Sequence, residues 1–521
     1  MVMNDCSSFM VHDFNTTFRD SQVHFLYCCR CEKIAKTPHP CYTGSMKICS
    51  SRSVREAEQK LFASGEVTSL ALMNTVIDRL WHACGTEPLL RGVAPARVVV
   101  YAGSGNNAGD AIGLAARFAC PITLRCAGTL APDAAAQLCG REEEAATAPA
   151  PQEGLLIIDG LLGSGAVGEL RPAYAALVRE LNELRAASPR SLTLAIDIPT
   201  GLDSATGAHG ADVVLADATA TIGGVKPGLL ADGAEDAVGR LICIPLPEVG
   251  ELPAADPARV ADAAELTPLL PRRAYSCFKN RAGRVAIVAG SVGMAGAAQM
   301  CAEAALAAGA GLVVLYCLPP VYPILAARVA PEIMVRPVGS YADIHEPDAR
   351  ALVIGPGLGE VQPVAAESLR RLACEFAGTV VLDADGLNTA AACGWQPQPH
   401  WVLTPHPGEM RRLDPRPATT RRETVARYLA EHPCTLLLKG ARTIISDGEN
   451  TLYNTTGGPY MANGGQGDVL AGTIGALAAQ GLPPFRAAAA GAWACGLAAE
   501  RAWAAAGYPI AIPASRVIQF L

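Results

Sequence analysis

Short β-rich runs closed by glycine recur along this 521-residue chain, separated by alanine-rich helical runs. That alternation is the strongest constraint on the fold. Runs of Val, Ile and Leu without polar alternation suit strands buried on both faces, which requires helices on either side of a parallel sheet. The pattern occurs in two series. "ARVVVYAG", "GLLIID", "LTLAIDIP" and "ADATATIG" fall between residues 46 and 245. "GRVAIVAGS", "AGLVVLYCLPP", "ALVIGPGLG", "TVVLDADGLN", "HWVLTPHPGE" and "TLLLKGARTII" form the second series. Between them lies "PLPEVGELPAADPARVADAAE", rich in proline and acid. The expected fold is α/β with two three-layer αβα domains, at 46–250 and 265–521, joined by a linker at 251–264.

Residues 1–45 differ from the rest: polar, containing His and Cys, and without a clean period. Met46 then begins "MKICSSRSVREAEQKLFASGEV", a short lead-in followed by an amphipathic helix. The reading expects translation to start naturally at Met46, with 1–45 an extension; a genuine small appendage is the alternative. Six of the 18 cysteines, Cys6, Cys28, Cys29, Cys31, Cys41 and Cys49, crowd the first fifty residues. They include "CCRC", but no second CxxC completes a zinc site. The others, such as Cys243, Cys301 and Cys495, sit singly in apolar stretches and read as buried free thiols. No signal-peptide pattern opens the chain, so a cytoplasmic location is expected.

Half the chain is hydrophobic, only 17% is charged, and the mean hydropathy is +0.23. The apolar stretches are nevertheless interrupted by Gln299 and Glu303, or by Glu500 and Arg501, so no run reaches membrane length. With a net charge of −7 and no basic face, nucleic acid is not expected as the main partner.

Several strand ends carry polar residues. "GSGNNAGD" follows one strand, and Asp159 and Asp197 end two others. Open parallel sheets bind ligands at such carboxyl ends; taken singly, each aspartate could equally be a loop cap. In the second series "GGQGD" precedes the apolar run "VLAGTIGAL". Glycines before a helix let an anion approach unpaired N–H groups at its positive end. Asp468 would then sit beside a phosphate as a general base, or be only an N-cap. Lys439 ends a strand and could supply charge or be merely solvated. His406, between two prolines, is restrained enough for a ligand contact, with a capped loop histidine as the alternative.

"GSGNNAGD", "DGLLGSG", "DIPTGLDSATG" and "VKPGLL" together resemble the YjeF N-terminal domain family, the NAD(P)H-hydrate epimerases, which implies a Rossmann-like domain. The resemblance implies a site for hydrated nicotinamide nucleotide (NAD(P)HX) made by Asn106, Asn107, Ala108, Gly109 and Asp110, by Gly163, Ser164, Gly165, Ala166, Val167, Gly168 and Glu169, and by Asp197. It implies a potassium ion at Asn107, Asp159 and Thr200, oxygen donors suited to a hard cation, and makes Asp197 the catalytic acid/base. Ala108 stands where the family usually has glycine, adding a methyl where backbone could approach phosphate, and Thr200 stands where serine is usual.

"GSVGMAGAAQM", "GPGLG", "LDADGLN", "TPHPGEM", "KGART" and "MANGGQGD" resemble the ADP- or ATP-dependent NAD(P)H-hydrate dehydratases, with a ribokinase-like fold, over about 275–515. The resemblance implies that Ala297, Gly359, His406 and Asp468 contact the hydrate, with Asp468 catalytic. It implies that Lys439, Gly440, Ala441, Arg442, Thr443 and Gly467 line the adenine nucleotide, ADP or ATP, with magnesium assisting. "YSCFKNRAGR" keeps Lys279 and Gly283 of the family's "KGxxG" but has Asn280 where glycine is common, which leaves nucleotide access there open. The expected protein is a bifunctional repair enzyme, and a homo-oligomer is compatible with it. The competing reading is a small-molecule kinase of vitamin-precursor type, which "GGQGD" also resembles, with an N-terminal ligand-binding or scaffold domain.

Overall fold

The structure is a computed structural model; it describes residues 46–521 apart from Gly92, Ala166, Val167, Pro189 and Pro509. Two sheets organise it. The first has seven strands in the order Glu142–Glu144, Ile122–Cys126, Arg97–Ala102, Leu155–Gly160, Leu192–Ile196, Ala218–Gly223 and Arg240–Pro245, all parallel. Winding reverses between Arg97–Ala102 and Leu155–Gly160, so a crevice opens above Ala102 and Gly160.

The second sheet has eleven strands. Seven are parallel: Thr435–Leu438, Trp401–Leu403, Thr379–Leu382, Ala351–Ile354, Arg284–Val288, Leu312–Cys317 and Ile333–Pro337, in that spatial order. Winding reverses between Arg284–Val288 and Ala351–Ile354. Beyond Thr435–Leu438 the sheet continues through the antiparallel pair Thr443–Ser446 and Thr451–Asn454. The run "TLLLKGARTII" is therefore two strands, with Lys439 to Arg442 as the turn between them.

The segment read as a linker also holds a strand, Asp256–Val260, paired with Thr451–Asn454. The short lead-in Met46–Ile48 pairs antiparallel with it and closes the edge of the second sheet. From there the chain passes through Ser50, whose hydroxyl accepts from Ser53 N–H at 3.0 Å and caps helix Ser51–Ser64. Gly65, at φ 75°, ends that helix and donates to the Phe62 carbonyl. The helix leaves the second sheet and packs on the first, with Val54 3.4 Å from the position a Cβ on Gly223 would take.

A continuous apolar core joins the halves. Ile198, Val213, Leu229 and Val238 pack in the same cluster as Val288, Leu352 and Trp401. A buried polar network crosses there as well. Arg240 donates to the Thr455 carbonyl at 2.9 Å and lies 2.8 Å from Glu500, whose carboxylate accepts from Gly457 N–H. Among the described residues no helix is long and apolar enough to cross a membrane, and the thirteen described cysteines are free.

Helix Gln466–Ala479 is apolar on every side and lies against helix Ala295–Ala307. Gly472 makes that approach: a Cβ there would sit 2.0 Å from the Cys301 carbonyl oxygen. Gly472→Ala is expected to cost at least about 1–3 kcal/mol through overpacking, read as a lowered thermal midpoint, because backbone rather than a flexible side chain stands in the way.

Candidate active sites

At the first crevice a cavity of about 460 Å³ is lined from three directions. Ser104 to Asn107 and Asp110 come from the start of helix Asn106–Ala115, Leu161 to Gly165 from the neighbouring turn, and Val54, Arg55, Glu58 and Phe62 from helix Ser51–Ser64. The free N–H groups of the first helix turn suit a phosphate. Asp197 and Lys226 complete the lining.

Asp197 sits at φ 66°, a conformation that costs a non-glycine residue about 1–3 kcal/mol and tends to mark functional positions. Its carboxylate accepts from Ser164 N–H at 3.0 Å, from Ile222 N–H at 3.2 Å, and from the fully buried Lys226 ammonium. Burial is the largest influence and raises Asp197, but the Lys226 charge together with the hydrogen bonds from Lys226, Ser164 N–H and Ile222 N–H outweighs it and holds the carboxyl below its usual range. Lys226 Nζ also donates to the Ile222 carbonyl at 2.8 Å. Asp110 behaves oppositely. Burial, then the charges of Asp197 and Glu58, push it well above the carboxylate range, and its Oδ1 is buried without a partner.

Asp159 is fully buried and accepts from Thr200 N–H and Thr200 Oγ1, each at 2.8 Å, and from Leu161 N–H at 3.1 Å. Burial lifts its pKa to about 6, and no cation pairs with it among the described residues. Asn107 abuts the same turn, 3.3 Å from the Cβ position of Gly163, and its amide nitrogen is buried without a partner. A buried carboxylate lacking a counter-charge, beside a hydroxyl and an amide, fits a monovalent cation.

The second cluster forms beyond the ends of the parallel strands Ala351–Ile354, Thr379–Leu382, Trp401–Leu403 and Thr435–Leu438. Asp383 Oδ1 accepts from Lys439 Nζ and from Thr404 Oγ1, both at 2.8 Å. Ala384, at φ 48°, turns the backbone so that Asp383 faces Lys439 while Asp385 accepts from Gly359 N–H at 2.7 Å. Gly467 closes over the pair: a Cβ there would lie 3.3 Å from Lys439 Nζ. Asp468 stands in the first turn of its helix, whose N-cap is Gly465 at φ 96°. Asp468 is thus not the N-cap. Burial first, then the charges of Asp383 and Asp385, raise it to about 7 against the lowering effect of Lys439. Among the described residues no three His, Cys, Asp or Glu form a ready metal cage. The surplus of carboxylate charge fits a magnesium ion held mainly by nucleotide phosphates with one or two carboxylates.

The pattern of matches to known proteins follows these two clusters. Residues 69–228 match the family model of the YjeF-related protein N-terminus, and residues 285–520 match that of NAD(P)H-hydrate dehydratase. A bifunctional NAD(P)H-hydrate repair enzyme of Coxiella burnetii is 35% identical over 474 residues, covering 87% of this chain and 94% of that protein. One from Escherichia coli K12 is 36% identical over 370 residues, covering 69% and 70%. This chain belongs to the bifunctional NAD(P)H-hydrate repair enzymes. The solved ADP/ATP-dependent NAD(P)H-hydrate dehydratase of Bacillus subtilis, co-crystallised with ATP and Mg²⁺, is 26% identical with a TM-score of 0.45, covering 51% of this chain and 97% of that one.

The structure gathers most of the expected repair-enzyme residues and displaces some. Asn106, Asn107, Asp110, Gly163, Ser164, Gly165 and Asp197 line the first cavity. Gly168 and Glu169 are exposed and outside its lining, and Ala166 and Val167 lie outside the described residues. Ala108 is fully buried in the apolar cluster of its helix, so its methyl packs in the core and does not narrow the cavity. Gly109 also faces inward, against Met73. In the second half Ala297 and Gly359 meet around Gly357 and Met294.

His406 caps helix Pro407–Leu413: its Nδ1 accepts from Gly408 and Glu409 N–H, which leaves Nε2 as the ring's other polar atom. The Arg442 guanidinium, expected beside the adenine nucleotide, is buried and donates to the Gly239 carbonyl of the first half at 2.5 Å. Gly440 and Ala441 are exposed and Thr443 is half-buried at the start of its strand. Lys279, at the segment where nucleotide access was left open, has its backbone carbonyl against Gly311 at the amino ends of the strands. Sequence reasoning missed Glu58, Arg55 and the role of Lys226. Only Lys226 left a signal, as a lone lysine inside the apolar "TIGGVKPGLL".

Proposed function

We propose that the protein interconverts the R and S hydrates of NADH and NADPH at the first cavity and dehydrates the S form at the second cluster, using ADP or, failing that, ATP. The observation that carries the reading is Asp468, raised to about 7 beside Lys439 and Asp383 at a glycine-rich helix start. A carboxyl of that strength can take the proton of a substrate hydroxyl near neutral pH. The freed oxygen attacks the terminal phosphoryl group, the bond to the bridging oxygen breaks and the shortened nucleotide (AMP from ADP, ADP from ATP) leaves; the phosphate ester then departs as phosphate while the neighbouring ring carbon loses a proton, giving NAD(P)H. Helix N–H groups from Gln466 onward receive the phosphate, and Lys439, steered by Asp383, offsets its charge. Magnesium, when bound, neutralises charge on the transferring group. Potassium, when bound by Asn107, Asp159 and Thr200, supplies the counter-charge that Asp159 lacks and fixes the turn before Gly163. The scattered free thiols suit a cytoplasmic location.

The test mixes protein, both NADHX epimers, magnesium, potassium, and ADP or ATP, and follows absorbance of NADH. Complete recovery is expected, and the faster nucleotide identifies the donor. Recovery that stops at the S fraction sinks the epimerase. No recovery with either nucleotide sinks the dehydratase and restores the kinase reading.

A further inference from the structure

Water added to the enamine double bond of a dihydronicotinamide places the hydroxyl on the carbon beside the ring nitrogen. One balanced route that inverts that carbon is loss and regain of water. In the first step an acid gives a proton to the hydroxyl, the C–O bond breaks, and the nitrogen lone pair forms a C=N bond. In the second a water adds to the opposite ring face, the C=N electrons return to nitrogen, and a base takes the proton of the adding water. Atoms and electrons balance without an oxidant or reductant. The chemistry demands proton-handling groups on both faces of the ring.

The first cavity presents such groups from different walls. Asp197 enters from the end of strand Leu192–Ile196, fixed by Lys226. Glu58 enters from helix Ser51–Ser64, which packs over the strand ends: Arg55 of the same helix reaches the Gly165 carbonyl, and Ser51 donates to Ser204 at 2.8 Å. Glu58 is half-buried and has no hydrogen bond or ion pair among the described residues, unlike every other carboxylate used in the two sites except Asp110 and Asp468. A carboxylate lining a cavity with no protein partner is free to bond a ligand.

We propose that Glu58 is the second acid–base group of the epimerase, acting on the ring face opposite Asp197. This rests on the epimerase reading above. Burial, then the Asp197 charge, raises Glu58, whereas Lys226 and Arg55 lower it; Asp110 completes the titratable set around it. Glu58 and Asp197 are thus pushed apart in acidity, as the exchange of acid and base roles requires.

The experiment starts from purified S hydrate without adenine nucleotide and follows appearance of the R form by chromatography, for wild type, Glu58→Gln and Glu58→Asp. Glu58→Gln is expected to lose about 100-fold or more in kcat, to lose one limb of the pH profile, and to keep its dehydratase rate. Glu58→Asp should recover part of the exchange. Exchange by Glu58→Gln within about threefold of an active wild type overturns the role of Glu58 alone. So does a loss confined to KM with the pH profile intact, which marks a packing role. Absence of exchange by the wild type overturns the epimerase reading and this role together.

Discussion

Asp468→Asn is expected to lower dehydratase turnover by about 10²–10⁴-fold while leaving epimer exchange intact. The carboxyl has no hydrogen-bond partner among the described residues and stands at the glycine-rich helix start with Asp383, Asp385 and Lys439 around it. The reaction needs its deprotonated form. With a pKa of about 7, wild-type kcat/KM should fall as pH drops below 7 and level off above it. The asparagine variant should lose that limb. The folded protein holds this proton more tightly than the unfolded chain, so ionising Asp468 works against folding as pH rises towards 7. Asp468→Asn is therefore expected to melt no lower than wild type at pH 8. A cooperative melt at reduced temperature would assign the lost activity to unfolding and remove Asp468 from its role as base.

Lys226→Met should have the largest effect on stability. It leaves Asp197 buried without its cation, and breaking a buried pair costs about 3–5 kcal/mol. Epimer exchange should vanish as well, since Asp197 then loses the charge that keeps it ionised against burial. The sign with pH is diagnostic. In the wild type the depressed Asp197 contributes stability that is present above its ordinary value of 3.8 and lost as acid protonates it. In Lys226→Met burial, the largest influence, is opposed only by the Ser164 and Ile222 N–H groups, so the dependence is expected to invert and stability to fall as pH rises. The double variant Asp197→Asn/Lys226→Met should regain most of the stability and none of the exchange. Urea unfolding of wild type, Lys226→Met and the double variant checks this; Lys226→Met as stable as wild type would show that the pair contributes nothing.

The acids at strand ends were legible because strands buried on both faces read as apolar runs, and Asp159 and Asp197 each break one. The glycines before Asp468 were legible because that backbone cost needs a reason. Other features depend on partners far along the chain. Met46–Ile48 is too short to show a period, and "DPARV" is polar enough to pass for a linker; the first becomes a strand against the second, and the second between it and Thr451–Asn454. "TLLLKGARTII" hides its hairpin because the turn carries none of the usual Asn-Gly signals. Arg442 sits among binding-motif residues yet points to Gly239, 203 positions away. Glu58 looks like any acid on a helix until the strand ends beneath it are placed.

The strand Met46–Ile48 closes the sheet of the second half, while its backbone also holds the first half: Val225 N–H donates to the Lys47 carbonyl and Cys49 N–H to that of Val225, beside Lys226. On the ribosome this segment emerges about 400 residues before Thr451–Asn454, on which its own partner strand leans. At about 5–20 residues per second, roughly 20–80 s separate the two. Pro245, which ends the first sheet, precedes Thr451 by about 200 residues, so the first catalytic half is made well before the sheet that its lead-in strand closes. The second site is completed later still, because Asp468 and its helix follow the second half's last strand.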